Sequence, residues 1–456
     1  MVVDAGAMLF PQFSIPPSLF AARTAQAEGL IEAMAVMGID AVGLAPLDLS
    51  AGTDFLRRQA GAQLPWVSMN LVRNPSGEPL FAPSIIKKAG DLSVGILGLT
   101  GRLENAPNQT SVADYRILAW EEPLAAALEQ LKDRVDMIIL LSSLPERTNQ
   151  KIAEDFSDIH LIIMSGQTTN NKHPQLFGNT LIAQIDSRGK HLGRLDVDWQ
   201  PSRTWQPPAA AGDKSLRDRL DRTNWQLGRL AKRYGQGELE QNAQYKQLLE
   251  EKDRLTAELT VLEEQYGQQE QFSTYNGSVI GLPVSLPEVP EIQEIVLATK
   301  RAVNKTNQST LAKSPPRPQE HRAGFSNMAG WKACQSCHQP QTVFWQQTAH
   351  AKAWQTLEKI DQQFNPECLI CHVTLPTYDR DIVTGQDLLA DLQDEFKTIG
   401  CETCHGPSKG HTMQPDLKRP VQPDEQTCLL CHTPERDDNF VYSEKLEKIR
   451  CPASGQ

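Results

Sequence analysis

Hydrophobic and polar positions alternate in blocks along residues 1–205. Short apolar runs rich in β-branched residues are separated by longer amphipathic stretches at 19–37 and 120–134. Such alternation favours helices that flank a buried sheet, so we predict an α/β domain over residues 1–205. The predicted strands are residues 41–44, 66–70, 93–99, 136–141, 161–165 and 181–185.

The pattern changes over residues 213–268. Large residues, mostly leucine, recur at alternating steps of four and three, first from Leu216 to Tyr234 and again from Tyr245 to Tyr266. This spacing is typical of two coiled-coil helices, here joined by a glycine turn. We predict an antiparallel helical hairpin, although the same leucines could form one half of a homo-oligomer interface.

Residues 270–320 are interpreted as a connecting region with a strand-like piece at 278–286 and a helix at 291–304. Its proline-rich end, residues 313–319, predicts a stiff linker. From 321 to 456 glycine, proline and cysteine are frequent and long periodic segments are few. The chain is therefore predicted to be multidomain, with an α/β domain, a helical hairpin and a mostly α-helical or irregular C-terminal domain.

Composition narrows the choice of partners. The 456 residues exceed what one core needs, and the net charge of −11 disfavours nucleic acid or an anionic membrane as partner. No apolar run is long enough to cross a bilayer. The first residues also lack the basic segment, apolar core and cleavage site of a secretion signal.

The sequence Cys-x-x-Cys-His occurs four times in the last third of the chain. This pentapeptide is the covalent attachment site of c-type haem, with thioethers to both cysteines and the histidine as proximal iron ligand. Paired zinc ribbons are the alternative, but zinc does not need a histidine after every second cysteine. We therefore predict four covalently attached haem c groups. The attachment and proximal residues are Cys334, Cys337, His338, Cys368, Cys371, His372, Cys401, Cys404, His405, Cys428, Cys431 and His432.

Residues 331–451 resemble the tetrahaem domain of the cytochrome c-554 type. The matching pieces are Trp345-Gln-Gln-Thr-Ala-His-Ala-Lys-Ala353, Pro366-Glu-Cys-Leu-Ile-Cys-His-Val373 and Gly400-Cys-Glu-Thr-Cys-His-Gly-Pro-Ser-Lys-Gly-His411. The resemblance implies closely packed haems, most with two axial histidines, and in some members an iron left open for a small ligand. Haem attachment to thiols occurs outside the cytoplasm, so a secretion signal is required. We expect either that the numbering begins after processing or that the sequence is truncated at its start, and we favour truncation or a misplaced start.

Candidate distal ligands are few. His350 and His411 lie in the matched pieces, and His321 precedes the first motif. At least one iron therefore lacks an obvious second imidazole. Cys451 stands near a position where the resembled family often has histidine, so a thiolate ligand is one hypothesis. A free thiol, an intermolecular disulfide, or an iron that is open or bound by methionine are the alternatives.

The N-terminal domain resembles the 5′-nucleotidase branch of the metallophosphoesterases. The landmarks include Asp4-Ala-Gly6, Pro65-Trp-Val-Ser-Met-Asn70 and Val94-Gly-Ile-Leu-Gly-Leu-Thr100. That family uses two metals to activate water. The positions of its metal ligands are here occupied by Ala7, Ala45, Pro46, Ser143, Gln167 and Thr169. We therefore expect no phosphoesterase activity and interpret the domain as a scaffold, with His160, His173 and His191 as scattered surface or core residues.

The predicted function is electron transfer by a periplasmic or cell-surface tetrahaem cytochrome, with other cytochromes or quinone-linked oxidoreductases as partners. The alternative is an oxidoreductase that acts on a small inorganic nitrogen or sulfur compound at an open iron. A phosphohydrolase with a redox appendage is disfavoured by the missing ligands. The hairpin and N-terminal domain could also act as assembly modules.

Overall fold

The structure is a computed structural model that describes residues 1–60, 64–102, 114–166, 171–186, 189–206, 212–233, 239, 241–266, 272–283, 286–313, 325–376, 392–433, 436–437 and 439–452. The chain forms two compact units. The first comprises residues 1–13 and 37–287, and the second comprises residues 14–36 and 288–456.

The first unit contains four small sheets. Its strands are β1 (Val3–Asp4), β2 (Ala41–Gly43), β3 (Trp66–Val67), β4 (Leu71–Arg73), β5 (Ser84–Ala89), β6 (Leu92–Leu99), β7 (Tyr115–Ile117), β8 (Met137–Ser142), β9 (Leu161–Met164), β10 (Lys172–Phe177), β11 (Thr180–Gln184), β12 (His191–Asp198) and β13 (Thr274–Gly281). The largest sheet has the order β10-β11-β9-β8-β6-β5, with parallel pairing from β11 through β6 and antiparallel strands at both edges. Strands β1, β2 and β3 form a separate parallel sheet, while β4 pairs with β7 and β12 with β13.

Helices are numbered along the whole chain, so α1 (Pro17–Val36) belongs to the second unit. The first unit contains α2 (Thr53–Ala60), α3 (Glu121–Leu131), α4 (Glu146–Asp155), α5 (Gly212–Arg233), α6 (Ala243–Tyr266) and a 3-10 turn at Pro46–Leu49. The predicted alternation of strands and helices is confirmed, because each of the six predicted strands coincides with an observed one.

Both faces of the large sheet are buried. On β8, Ile138 and Leu140 pack with α3 on one face, while Ile139 and Leu141 join a second cluster around Trp205 on the other. Side chains alternate between faces along a strand, so a strand covered on both sides reads as an unbroken apolar run. The sequence Met-Ile-Ile-Leu-Leu over residues 137–141 is such a run.

Helix α1 corrects one prediction. Residues 19–37 were expected to flank the sheet of the α/β domain, but the structure places α1 in the second unit against α7 (Pro290–Lys313). The two helices approach closely at Gly29, where an added Cβ would lie 1.9 Å from Thr299 Oγ1. Amphipathicity shows that a helix buries one face, but it does not identify the surface that receives it.

Helices α5 and α6 contact each other within the first unit. Leu227, Leu248, Leu255 and Leu259 of the predicted leucine pattern are buried, and Arg219 Nη2 donates to Glu251 Oε1 at 3.1 Å. Tyr234, Leu262 and Tyr266 fall outside the residues whose side chains the structure describes. The antiparallel hairpin remains a prediction.

The second unit is built from short helices. After α7 come α8 (Trp331–Gln335), α9 (Gln339–Gln346), α10 (Ala353–Glu358), α11 (Pro366–Leu369), α12 (Cys401–His405), α13 (Lys409–Met413), α14 (Glu425–Leu429) and α15 (Tyr442–Ile449), with 3-10 turns at His350–Lys352 and Asp394–Phe396. A small apolar cluster includes Leu369, Val373 and Phe396. Among the described helices of the whole chain, none is both long and apolar enough to cross a membrane.

Candidate haem centres

Each Cys-x-x-Cys-His motif occupies a helical turn. The backbone N–H of His338 donates to Cys334 O at 2.9 Å, and that of His432 donates to Cys428 O at 3.0 Å. Residues four apart lie on the same face of a helix. The turn therefore presents the first cysteine and the histidine on one side, as joint attachment and ligation of one haem requires.

Cysteines of different motifs lie close together. The thiols of Cys334 and Cys401 are within hydrogen-bonding reach, and this contact raises the pKa of Cys401 and lowers that of Cys334. Burial raises the pKa of Cys404 to about 11, with a contribution from the neighbouring Cys428 thiol. The first motif therefore neighbours the third, and the third neighbours the fourth.

The second motif also lies next to another motif. The Cys431 thiol of the fourth motif lies 3.9 Å from the carbonyl oxygen of Ile370, which lies within the second motif. Haems attached at these motifs would therefore lie close to one another. All nine cysteines are free of disulfides.

The histidine rings are oriented through Nδ1. The Nδ1 atoms of His372, His405 and His411 lie 2.9, 3.0 and 2.7 Å from the carbonyl oxygens of Ala353, Val421 and Lys418, in that order. A carbonyl only accepts, so each Nδ1 must carry the proton. The other nitrogen, Nε2, is then left with its lone pair available to bind iron.

Two pairs of imidazoles lie close together. The ring centres of His338 and His411 are 6.1 Å apart, and those of His350 and His432 are 6.2 Å apart. A metal–nitrogen bond of about 2.0–2.1 Å, plus roughly 1.1 Å from nitrogen to ring centre, separates two axial imidazoles by about 6.2 Å. Each pair joins a motif histidine to one of the predicted distal histidines, so the residues fit a six-coordinate haem iron.

His350 has the chemical state that a ligand needs. Burial lowers its pKa, and the neighbouring His432 lowers it further. A lowered pKa keeps the imidazole neutral near pH 7, and only a neutral imidazole has a nitrogen lone pair to donate.

The remaining predicted ligands are placed less completely. Within the described residues, no ring contact joins His372 or His405 to a second imidazole. His321 lies outside the described residues. Cys451 is exposed, partial burial of its thiol raises its pKa, and it is close enough to Cys401 and Cys404 to raise the pKa of both. The structure therefore brings Cys451 to the third motif, that of His405.

In the first unit, the positions resembling a metal centre are organised by a carboxylate. The buried Asp48 accepts the backbone N–H groups of Ala7, Met8, Leu9 and Ala45 at 2.7, 3.0, 3.0 and 2.9 Å. Burial raises the pKa of Asp48, while these bonds lower it. Ala7 itself has a φ of +68°, which lets its N–H turn toward Asp48.

Other candidate residues of the first unit make structural contacts or are buried. Ser143 Oγ accepts the N–H of Gly101 at 2.8 Å, whereas Gln167 and Thr169 lie outside the described residues. His160 is buried, and burial lowers its pKa to about 4. His173 and His191 are partly exposed beside Asp221 and Asp186. Among the described residues, no group of three or more potential ligands could hold a metal ion.

Sequence reasoning missed two carboxylates. Asp437 lies 2.7 Å from His432 Nδ1, and Asp48 organises the loops that carry Ala7 and Ala45. Nothing in the spacing of Asp437 marks it, because the turn that carries it has no fixed motif. For Asp48, the signal was its position three residues after Ala45, in the first turn of the 3-10 segment, where an acidic side chain can accept free N–H groups.

Part of the second unit is similar in sequence to known cytochromes. Residues 333–406 match the family model of cytochrome c554 and c-prime. The cytochrome c554-like region so defined contains the first three motifs, and the fourth lies just beyond it. The chain is also 32% identical over 95 residues to cytochrome c-554 of Nitrosomonas europaea, a match that covers 18% of this chain and 38% of that protein. The chain thus spans well under half the length of this relative.

The N-terminal region is similar to solved phosphoesterase structures. A 5′-nucleotidase precursor from Thermus thermophilus gives a TM-score of 0.40 at 16% identity, over 74% of this chain and 58% of that one. A sulfate thiohydrolase from the same species gives 0.38 at 20% identity, over 44% and 36%. The resemblance of the first unit to phosphoesterases is carried by its sequence landmarks.

Proposed function

We propose that this chain is a periplasmic or cell-surface tetrahaem c-type cytochrome that transfers electrons between redox partners. The observation that carries the proposal is the spacing of two imidazole pairs, His338 with His411 and His350 with His432. In each pair, the distance between ring centres matches that of two imidazoles bound to one iron. Zinc ribbons would not require either imidazole pair, since a zinc site takes its ligands from the Cys-x-x-Cys pairs themselves.

The proposal comprises four haem centres, which are numbered after the motifs that supply their cysteines. The eight motif cysteines hold the haems by thioethers, and His338, His372, His405 and His432 serve as proximal ligands. His411 completes the first centre and His350 the fourth. When bound, haem c supplies one-electron transfer at its iron, and the protein sets each potential by ligand, burial and nearby hydrogen bonds.

The third centre is the proposed place of Cys451. Its thiol lies beside Cys401 and Cys404, and a thiolate is a competent axial ligand of haem iron. The second centre, that of His372, has no ring partner among the described residues, and His321 is the remaining histidine that could serve it.

A second candidate function follows from that centre. If the iron at His372 is open, the protein could be an oxidoreductase for a small inorganic nitrogen or sulfur compound. Adding nitrite, hydroxylamine or carbon monoxide to the holoprotein separates the two functions. A high-spin signal that shifts on addition favours the enzyme, whereas an unchanged spectrum favours the carrier.

The first unit is proposed to be an inactive scaffold. Ala7 and the Ala45-Pro46 segment offer no side-chain donor, and the loops that carry them are held by Asp48 instead of a metal. A chromogenic phosphoester with Mn²⁺ should therefore not be hydrolysed by the full chain. Hydrolysis above the level of a buffer control would overturn this role.

The proposed partners are other cytochromes or quinone-linked oxidoreductases, and α5 with α6 could form a homo-oligomer contact. Electron transfer itself is tested with the holoprotein in a spectroelectrochemical titration. Four one-electron equivalents per chain, reversible over repeated cycles, are expected. Fewer equivalents, or a signal that does not return on reoxidation, would contradict the proposal.

A further inference from the structure

The imidazole of His432 differs from the other oriented haem ligands in what its Nδ1 contacts. His372, His405 and His411 each meet a neutral backbone carbonyl, whereas His432 Nδ1 meets the Asp437 carboxylate at 2.7 Å. A carbonyl fixes the ring without adding charge. A carboxylate also draws the Nδ1 proton toward itself, which leaves more electron density on the ring.

The local chain holds Asp437 in place. The N–H groups of Arg436 and Asp437 donate to Thr433 O at 2.9 and 2.8 Å, which closes a turn directly after the fourth motif. Both partners are partly shielded from solvent, since the side chains of His432 and Asp437 are 33% and 28% exposed. The carboxylate is therefore a built-in feature of the turn.

The ring of His432 is also fixed by stacking. Phe440 lies nearly parallel to it, with ring centres 4.5 Å apart and planes 20° apart, and the Phe440 N–H donates to Asp437 O at 3.2 Å. The turn therefore controls both the face and the Nδ1 edge of the imidazole. His350 lies nearby, with its ring centre 6.2 Å from that of His432.

We propose that Asp437 is a positioning residue that lowers the reduction potential of the fourth centre, the one shared by His432 and His350. An imidazole supported by a carboxylate donates more electron density to iron, and this stabilises the oxidised over the reduced metal. In the first centre, the distal His411 meets a backbone carbonyl instead. The inference rests on the proposed function, since it requires haem at the fourth motif.

The test compares full-length holoproteins. Asp437→Asn removes the charge but keeps an acceptor oxygen, Asp437→Glu keeps the charge, and Glu425→Gln removes one charge from α14 of the same motif without touching His432. In Asp437→Asn, the reduction potential of one of the four haems should rise by about 59 mV, which lowers its oxidised-to-reduced ratio about tenfold at a given solution potential. Asp437→Glu should restore most of the shift, and Glu425→Gln should leave that transition in place.

Results that refute the role of Asp437 can be distinguished from results that refute the proposed function. Four haems with all transitions unmoved, or moved equally by Glu425→Gln, would refute the role of Asp437 while leaving the cytochrome intact. A wild-type chain without haem would refute the proposed function itself.

If Asp437→Asn binds fewer than four haems, the EPR spectrum of the wild type tests the role of Asp437 instead. The carboxylate-supported centre should then give a low-spin signal with a smaller spread of g values than the other bis-imidazole centre. Two bis-imidazole centres with identical g values would reject the proposal.

Discussion

The imidazoles of His338 and His411 lie 6.1 Å apart between ring centres, although the first belongs to the first motif and the second follows the third motif. The pair of His350 and His432 is crossed in the same way, since His350 follows the first motif and His432 belongs to the fourth. Each iron would therefore bind two distant parts of the chain. The haems would act as cross-links that hold the short helices of the second unit together.

Replacing His411 by alanine should change one haem in four. Without its distal imidazole the first iron becomes five-coordinate, so about a quarter of the haem should convert from low to high spin. Replacing His350 should do the same to the fourth iron. EPR of the oxidised protein measures both changes.

The matched control is His173→Ala, which removes a partly exposed histidine of the first unit that lies beside Asp221. It should leave every haem signal in place. A high-spin fraction that is equal in His411→Ala and His173→Ala would refute the assigned pairs.

Cys451→Ser tests the third centre. If the thiolate binds the iron at His405, the variant loses one low-spin signal and that haem moves to a higher potential, because a thiolate donates strongly to iron. The ferrous low-temperature spectrum and the EPR spectrum both report it. An unchanged set of low-spin signals would exclude thiolate ligation.

Asp4→Asn should stabilise the first unit at neutral pH. Burial raises the pKa of Asp4 from 3.8 to about 6, with the Asp48 charge adding to the shift and a bond from Gly6 N–H opposing it. A raised folded-state pKa gives stability that is complete below pH 3.8 and is lost as the pH rises through about 6. At pH 7 the ionised carboxyl therefore costs on the order of 2 kcal/mol, which the neutral amide avoids.

Hydrogen–deuterium exchange of peptides spanning β1 and β2, at pH 5 and pH 7, measures this effect. The wild type should be less protected at pH 7 after correction for intrinsic exchange, and Asp4→Asn should remove the difference. Asp54→Asn, which alters an exposed carboxyl on α2, is the control. A wild type equally protected at both pH values would show that Asp4 is not the titrating group.

Asp48→Ala should loosen the loops at residues 6–9 and 43–46. It leaves four backbone N–H groups without their acceptor, and unsatisfied buried donors should cost at least about 3 kcal/mol in total. Limited proteolysis of the full chain should show faster cutting in these loops than in wild type or Asp54→Ala. Equal cutting rates would mean that Asp48 does not organise them.

Part of this structure could be predicted from sequence because the signals are local. Strand β8 is an unbroken apolar run, and Cys428-Leu-Leu-Cys431-His432 carries its chemistry in five adjacent residues. His350 and His411 were predicted as ligands because each lies in a segment resembling a known family. Their assignment to particular irons needed the three-dimensional distances.

The missing parts depend on contacts that leave no periodic trace. Helix α1 packs against α7, which is far away in the chain, and the two helices approach closely at Gly29. Asp437 reaches His432 through a turn that lacks a motif, and its charge becomes informative only beside the ring. Lone polar residues acquire a role through the neighbours that the fold gives them.

The most direct measurement is the intact mass of the full chain purified from a host equipped for cytochrome maturation, combined with a pyridine haemochrome assay. The account predicts a red protein heavier than the polypeptide by four haems, and by three in a variant with Cys428 and Cys431 both replaced by alanine. A colourless protein with the mass of the bare polypeptide would contradict it.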